Sequence, residues 1–336
     1  MRAIITGVGH YVPDRKLTNK DLEQMVDTSD EWITTRTGIK ERRILDNDKG
    51  TSYMATKAAK TVLEQRNISA DELDLIIVAT ITPDTPFPAT AALVQKELHT
   101  TKGWGFDLNG ACTGFVHALA TASQFIETEK YNKIMVIGAD KMSSIIDYED
   151  RNTCPIFGDG AGAVLLEPSN DKDLGIEDFI LHLDGSGYKY LGMPAGGSLL
   201  PASYETVKGK KHFLYQEGKT VFKFAVNGMA DVSTKIMEKN GLTAKDIKLL
   251  IPHQANLRII DAVTNKMGLN KDQVIINIDK YGNTTAGTIP IAMSEAYEKK
   301  MMGKGDWVVL STFGAGFTWG SLLLKWAMDY IGNCHS

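Results

Sequence analysis

Apolar residues along the chain gather into short β-branched runs, separated by longer stretches in which they recur every three or four positions. The runs are Leu75-Ile76-Ile77-Val78, Ile134-Met135-Val136-Ile137, Val274-Ile275-Ile276 and Val308-Val309-Leu310. Apolar runs without polar alternation predict strands buried on both faces of a sheet. The stretches between them read as helices. Residues 112–129 place Phe115, Ala118, Leu119, Ala122, Phe125 and Ile126 on one face at helical spacing. Strands alternating with helices predict an α/β protein.

The pattern also repeats. Ile68-Ser69-Ala70-Asp71-Glu72-Leu73-Asp74-Leu75-Ile76-Ile77-Val78 is similar to Leu242-Thr243-Ala244-Lys245-Asp246-Ile247-Lys248-Leu249-Leu250-Ile251-Pro252. From the first copy the chain runs to Cys112, and from the second to Asn283. Each of these follows a predicted strand, Trp104–Leu108 or Val274–Ile278, and each opens a helical stretch. The repeat predicts two related α/β halves, residues 1–172 and 173–336, packed about a pseudo-twofold axis. The polar, turn-rich stretch Pro168-Ser169-Asn170-Asp171-Lys172-Asp173-Leu174 marks the boundary. Corresponding strand ends then converge on one central site.

Composition narrows the function. Of 336 residues, 43% are hydrophobic and 23% charged, which is the balance of a globular protein. A formal net charge of -4 argues against a nucleic-acid partner, which needs a basic footprint. No apolar stretch reaches the roughly 18 residues of a membrane span, and the N-terminus lacks a signal-type apolar segment. The three cysteines, Cys112, Cys154 and Cys334, form no CxxC pair. Their spacing argues against a zinc site, and their small odd number suits a reducing, cytoplasmic setting. The sole phosphate-loop lookalike, Gly158-Asp159-Gly160-Ala161-Gly162-Ala163, precedes a strand and so fails as a dinucleotide fingerprint.

Three residues carry candidate chemistry. Cys112 lies in Asn109-Gly110-Ala111-Cys112-Thr113-Gly114 at a helix start, where unpaired N–H groups and the helix dipole favour a thiolate. His253 ends the strand Ile251-Pro252 and heads Gln254-Ala255-Asn256. Asn283 lies in Tyr281-Gly282-Asn283-Thr284, before a helix. Each has a plainer reading: a small buried hydrophobe, a hydrogen-bonded core histidine, an N-cap. Together they suit carbon–carbon bond formation. An acyl-cysteine is attacked by the enolate that a malonyl thioester forms on losing CO₂. A histidine N–H and an Asn amide then stabilise the oxyanion, each contributing roughly 3–4 kcal/mol. This chemistry needs no metal, flavin or nicotinamide.

The chain resembles the beta-ketoacyl-[acyl-carrier-protein] synthase III family of the thiolase-like superfamily. The resemblance spans nearly the whole chain. It rests on Asn109 to Phe115, Phe157 to Ala163, His253-Gln254-Ala255-Asn256 with Arg258-Ile259, Tyr281-Gly282-Asn283-Thr284, and Phe313-Gly314-Ala315-Gly316-Phe317-Thr318-Trp319-Gly320. It implies a thiolase-like fold in a five-layered αβαβα arrangement and a Cys112–His253–Asn283 triad. Elongating synthases would carry a second histidine at Asn283, and thiolases a second catalytic cysteine, a role Cys334 does not fit. The implied reaction joins a short acyl-CoA primer, acetyl or branched, to malonyl-acyl carrier protein and starts type II fatty acid synthesis. The CoA thioester is then a substrate and no cofactor is implied. One alternative is a synthase III-like enzyme of secondary metabolism with a specialised acyl-CoA. Another is a non-catalytic thiolase-fold interaction protein.

The resemblance also assigns a surround. Thr28, Trp32, Arg36 and Arg151 would hold the CoA nucleotide, with adenine between Trp32 and Arg151. Gly218, Phe222, Ala255 and Asn256 would line the pantetheine tunnel. Phe87 would cross a homodimer interface to floor the partner's acyl pocket, and Lys223, Arg258 and Lys266 would dock the carrier protein. The backbone N–H groups of Cys112 and Ala315 would form an oxyanion hole. Two departures stand out. Ala315 replaces the usual Gly, which narrows the pocket or restricts φ. The segment between Tyr190 and Gly218, with its basic stretch Lys208-Gly209-Lys210-Lys211-His212, is longer than usual.

Overall fold

A computed structural model describes residues 1–330, so Cys334 lies outside the described residues. Two sheets form the frame. The first contains β1 (Arg2–Tyr11), β2 (Leu75–Ala79), β3 (Trp104–Leu108), β4 (Ile134–Lys141) and β5 (Asp159–Ser169), in spatial order β1-β5-β4-β2-β3. The second contains β6 (Gly175–Leu183), β7 (Ile247–Pro252), β8 (Trp307–Gly314) and β9 (Thr318–Lys325), in order β6-β9-β8-β7. β2 pairs parallel with β4, and β7 parallel with β8. The outer pairings β4–β5, β1–β5, β8–β9 and β9–β6 are all antiparallel. The second sheet therefore repeats the first strand for strand, apart from β3.

That missing strand corrects one sequence expectation. Val274 makes only an isolated parallel bridge to Leu250, and residues 278–281 are helical. The reason lies in Gln254. Its side-chain amide donates to the Ile275 carbonyl at 3.2 Å, and its oxygen accepts from the Asn277 N–H at 3.1 Å. A side chain thus satisfies backbone groups that a strand would give to a ladder.

Helices complete the layers. α4 (Gly114–Glu127) and α7 (Thr288–Glu298) lie between the sheets, where Phe115, Leu119, Ile289 and Met293 share one core with Leu75, Ile77, Leu249 and Leu310. α2 (Thr51–Arg66) and α3 (Thr90–Glu97) cover the outer face of the first sheet, packing Val62 and Val94 on Ile76 and Val78. α5 (Gly218–Lys239) and α6 (Leu257–Lys266) cover the second, packing Met229 and Ile260 on Leu250 and Val309. Neighbours Ile76 and Ile77 thus enter different cores, as the two-residue period of a doubly covered strand requires. α1 (Asp30–Thr37) lies against the start of α6. The five layers are helix, sheet, helix, sheet, helix. No helix among the described residues is long and apolar enough to cross a membrane.

Candidate active site

Cys112 sits in a single 3-10 turn, Ala111–Thr113, that opens into α4. The turn is tight. Ala111 has φ 47°, and a Cβ on Gly110 would lie 2.8 Å from His117 Nδ1. A strand end and the turn before α7, Thr285–Gly287, bring the other candidates towards it. His253 follows β7, and its N–H donates to the Ser311 carbonyl at 2.8 Å. The next residue, Thr312, donates its hydroxyl to the Cys112 carbonyl at 3.0 Å. Consecutive residues of β8 therefore hold the histidine and the cysteine.

Asn283 is held by the Phe157–Gly158 segment. The Asn283 N–H donates to the Ile156 carbonyl at 2.9 Å, and the Gly158 N–H donates to the Asn283 carbonyl at 3.1 Å. A Cβ on Gly158 would lie 2.4 Å from the Tyr281 carbonyl oxygen, so only glycine allows this approach. The Gly158–Ala163 motif is thus the brace of the Asn283 loop rather than a phosphate cradle. Tyr281 pins the same loop, donating its hydroxyl to the buried Glu295 at 2.5 Å.

The side chains are sheltered and neutral. Cys112 is 8% exposed, His253 2% and Asn283 5%. Burial, and then the nearby Asp140 carboxylate, push the Cys112 thiol up to about 12, against the lowering effect of a backbone hydrogen bond. This corrects the thiolate expected from a helix start: desolvation outweighs the helix terminus, and the resting group is a thiol. Burial alone lowers His253 to about 3, so its imidazole is neutral. His253 Nδ1 lies 2.7 Å from Thr288 Oγ1, whose hydroxyl also reaches the Thr285 carbonyl at 3.1 Å. The Thr285 N–H donates to Asn283 Oδ1 at 2.8 Å, which turns the Asn283 NH₂ away from it.

The sequence reading missed Asp140, Thr285 and Thr288. Asp140 is fully buried at the end of β4 and binds the Thr285–Ala286 turn. A lone carboxylate ending an apolar strand was its signal. Thr285 stands in the small-residue stretch 281–287, whose composition suggests close backbone approach, and Thr288 gives no signal beyond a helix start.

Around this centre the other named residues divide. Trp32 and Arg36 lie one turn apart on α1, which follows Thr28, whose buried hydroxyl has no partner. The guanidiniums of Arg36 and Arg151 lie 5.1 and 5.2 Å from the Trp32 ring centroid. Arg151 also binds Asp27 at 3.1 Å. A purine between Trp32 and Arg151 therefore requires Arg151 to swing outward. Asn256 caps α6 and donates to the Arg36 carbonyl at 3.0 Å, with Ala255 beside it. Arg258 lies over Phe222 at 5.2 Å, and Lys223 is exposed next to it. Gly218 begins α5 and is exposed. Lys266 stands two turns along α6 from Arg258, about 12 Å by helical rise. Phe87 is 84% exposed and is not brought to the site of its own chain.

Ala315 lines a cavity of about 370 Å³ with Asn109, Gly110, Ala111, His117 and Thr318. Its φ is not positive, so the methyl group imposes no left-handed backbone. The glycine that the site demands is Gly314, where a Cβ would lie 2.9 Å from the Cys112 nitrogen. The long segment after Tyr190 folds against residues 145–149: Leu214 N–H donates to the Ile145 carbonyl at 2.9 Å, and Lys210 reaches Asp147 at 2.8 Å.

Known proteins share this fold and much of this sequence. The family model for 3-oxoacyl-[acyl-carrier-protein] synthase III matches residues 106–185, and that for its C-terminal part matches residues 237–326. The chain is 56% identical to the beta-ketoacyl-[acyl-carrier-protein] synthase III of Chlorobaculum tepidum over 97% of this chain and 100% of that protein. It is 52% identical to synthase III 2 of Bacteroides thetaiotaomicron over 98% of each. The crystal structure of the Aquifex aeolicus synthase III superposes with a TM-score of 0.89 at 45% identity, covering 96% of this chain and 100% of that one. On fold, motif and similarity alike, the chain belongs to the 3-oxoacyl-[acyl-carrier-protein] synthase III family.

Proposed function

We propose that this chain is an acyltransferase that condenses a short acyl-CoA with malonyl-acyl carrier protein, giving 3-oxoacyl-carrier protein, CoA and CO₂, and so initiates type II fatty acid synthesis in the cytoplasm. Cys112, His253 and Asn283 are its catalytic residues, drawn from the two halves 1–172 and 173–336. The observation that carries the reading is the continuous set of contacts from His253 through Thr288 and Thr285 to Asn283, beside the Cys112 turn.

Each half-reaction follows from that geometry. The buried thiol needs a base, and neutral His253 Nε2 takes its proton. The Cys112 sulfur attacks the acyl carbonyl, and the N–H groups of Cys112 and Ala315 hold the oxyanion. CoA thiolate leaves and recovers the proton, so no charge stays behind. In the second half, the malonyl C–COO bond breaks and its electron pair forms a thioester enolate. His253 Nε2–H and the Asn283 amide donate to the enolate oxygen. The enolate carbon then attacks the acyl-cysteine carbonyl and expels Cys112 as a thiolate, which takes up one proton from solvent to restore the resting thiol. Base and donor are two neutral tautomers of one imidazole, exchanged between the half-reactions as Nε2 gains a proton from solvent and Nδ1 gives one up, and each suits one orientation of the Thr288 hydroxyl.

The surround takes the roles its positions support. The Trp32–Arg36–Arg151 cluster holds the CoA nucleotide, with Thr28 beside it. Gly218, Phe222, Ala255 and Asn256 flank the pantetheine path, and Lys223, Arg258 and Lys266 receive the acidic carrier. Phe87, exposed on its own chain, floors the acyl pocket of a second copy in a homodimer. The test replaces Asn283 with Asp. Acyl transfer to Cys112 should persist while CO₂ release from malonyl-carrier protein falls, because a carboxylate repels the enolate. Equal loss of both steps refutes the assignment.

A further inference from the structure

We infer that Thr285, gripped by the buried Asp140, is a positioning residue that aims the Asn283 amide, one of the two oxyanion donors, at the enolate. This rests on the triad reading above.

The backbone points to it first. Thr285 has φ 49°, in the left-handed region, where a β-branched residue is rarely found and pays for being there. Such a conformation persists only when its surroundings hold it. All three polar groups of Thr285 are engaged, and each serves a different element. Its N–H donates to Asn283 Oδ1 at 2.8 Å. An N–H cannot accept, so the atom it faces is the oxygen, and the Asn283 NH₂ must point elsewhere. With this bond broken, the amide is free to turn its carbonyl toward the pocket and would repel an enolate instead of stabilising it.

The Thr285 carbonyl accepts from Thr288 Oγ1 at 3.1 Å, the same oxygen that lies 2.7 Å from His253 Nδ1. When the Thr288 proton rests on that carbonyl, Nδ1 must be the donor and Nε2 is bare. When it turns to Nδ1, Nε2 carries the proton. Nδ1 keeps a partner in both states, so a shift of the Thr285 carbonyl leaves the Nε2–H donor available and bears on the enolate only through the Asn283 amide.

The third group, Oγ1, donates to Asp140 Oδ2, which also accepts from the Ala286 N–H at 3.1 Å. The other oxygen, Oδ1, is saturated by the first half of the chain. It accepts from Thr80 Oγ1 at 3.0 Å, Ile81 N–H at 2.8 Å, Thr82 N–H at 3.2 Å and Thr82 Oγ1 at 2.9 Å. One oxygen is thus anchored in the loop after β2, and the other fixes the strained turn of the opposite half. There is no slack between them: a Cβ on Gly138 would lie 2.2 Å from the Ala286 carbonyl oxygen. A fully buried carboxylate is costly, and an apolar residue would serve the core better. Its return is the fixed turn.

The experiment measures two half-reactions separately in full-length protein. One is radiolabel transferred from acyl-CoA to Cys112. The other is CO₂ release from malonyl-carrier protein. Thr285→Val removes the hydroxyl at nearly constant shape, Thr285→Ser restores it, and Asp140→Asn removes the grip from the other side. The inference expects Thr285→Val to slow CO₂ release by about 10-fold or more while labelling stays within about threefold, with Ser returning to near wild type and Asp140→Asn following Val. CO₂ release within about twofold in Thr285→Val overturns it. So does an equal loss of both steps in Thr285→Val and Asp140→Asn, which marks a merely structural role. Asn283→Ala separates this failure from that of the reading beneath it. If Asn283→Ala itself spares CO₂ release, the triad assignment falls and takes the inference with it. If Asn283→Ala abolishes CO₂ release and Thr285→Val does not, the inference falls alone.

Discussion

His253 Nδ1 lies 2.7 Å from Thr288 Oγ1, a hydroxyl on the first residue of a helix from the same half of the chain. That contact orients a neutral imidazole in a site from which water is largely excluded. It also leaves Nε2 as the ring atom available to substrate, since Nδ1 is occupied.

Thr288→Val leaves Nδ1 buried without a partner. Such a loss costs about 1–3 kcal/mol, or on the order of 10- to 100-fold in rate if it falls on the transition state. We expect kcat for condensation to drop by that factor, with the KM for acyl-CoA little changed. Thr288→Ser should stay within a few-fold of wild type. Steady-state kinetics on both variants check this. Equal losses in Val and Ser would mean that the methyl group, and not the hydroxyl, is what His253 needs.

The resting state of Cys112 makes a second prediction. Its thiol is pushed up to about 12, and His253 is lowered to about 3, so no thiolate–imidazolium pair exists near neutral pH. The alkylating species is the thiolate, whose fraction rises tenfold per pH unit below the pKa. Inactivation of the free enzyme by iodoacetamide should therefore be slow at pH 7 and climb steadily to pH 9, without levelling off. A plateau between pH 6 and 8 would reveal a pre-formed ion pair. Acyl-CoA turnover is not bound by the same slope, because His253 takes the proton during attack.

Legibility differed by element, for physical reasons. The strands at 75–79, 134–141 and 307–314 are doubly buried, so their apolar runs announce them. The run at 274–276 looks the same but makes only one bridge to the sheet, at Leu250, because the Gln254 side chain takes the Ile275 carbonyl and the Asn277 N–H that a longer ladder would use. Only folded contacts reveal that. The three candidate residues stand out for different reasons: Cys112 and Asn283 sit beside glycines, and His253 follows a buried apolar strand. The protonation of Cys112 was not legible, since burial depends on residues far away in sequence. Asp140 and Thr285 meet across the two halves, 145 positions apart, and nothing in the sequence links one to the other. The Trp32–Arg151 pairing was legible as a pair, but not its closed geometry.

The glycine loop beside the nucleophile makes the last prediction. A Cβ on Gly314 would lie 2.9 Å from the Cys112 nitrogen, 3.2 Å from Cys112 Cβ and 3.3 Å from the Thr113 nitrogen. These are mostly backbone atoms of a tight turn, and no flexible side-chain end can give way. Gly314→Ala must therefore push the Cys112 turn off its position, and with it the Cys112 N–H that would hold the oxyanion. Losing one such donor costs on the order of 10²–10³ in rate. Ala315 differs, although it adjoins Gly314. It already carries its methyl, its φ is not positive, and it faces a cavity rather than a backbone. Ala315→Gly should leave acyl transfer within a few-fold of wild type and shift the choice of primer at most. Burst labelling of Cys112 by acyl-CoA in the two variants reads the contrast directly. A burst in Gly314→Ala as fast as in wild type would show that the turn yields, and that the oxyanion hole does not depend on this close approach.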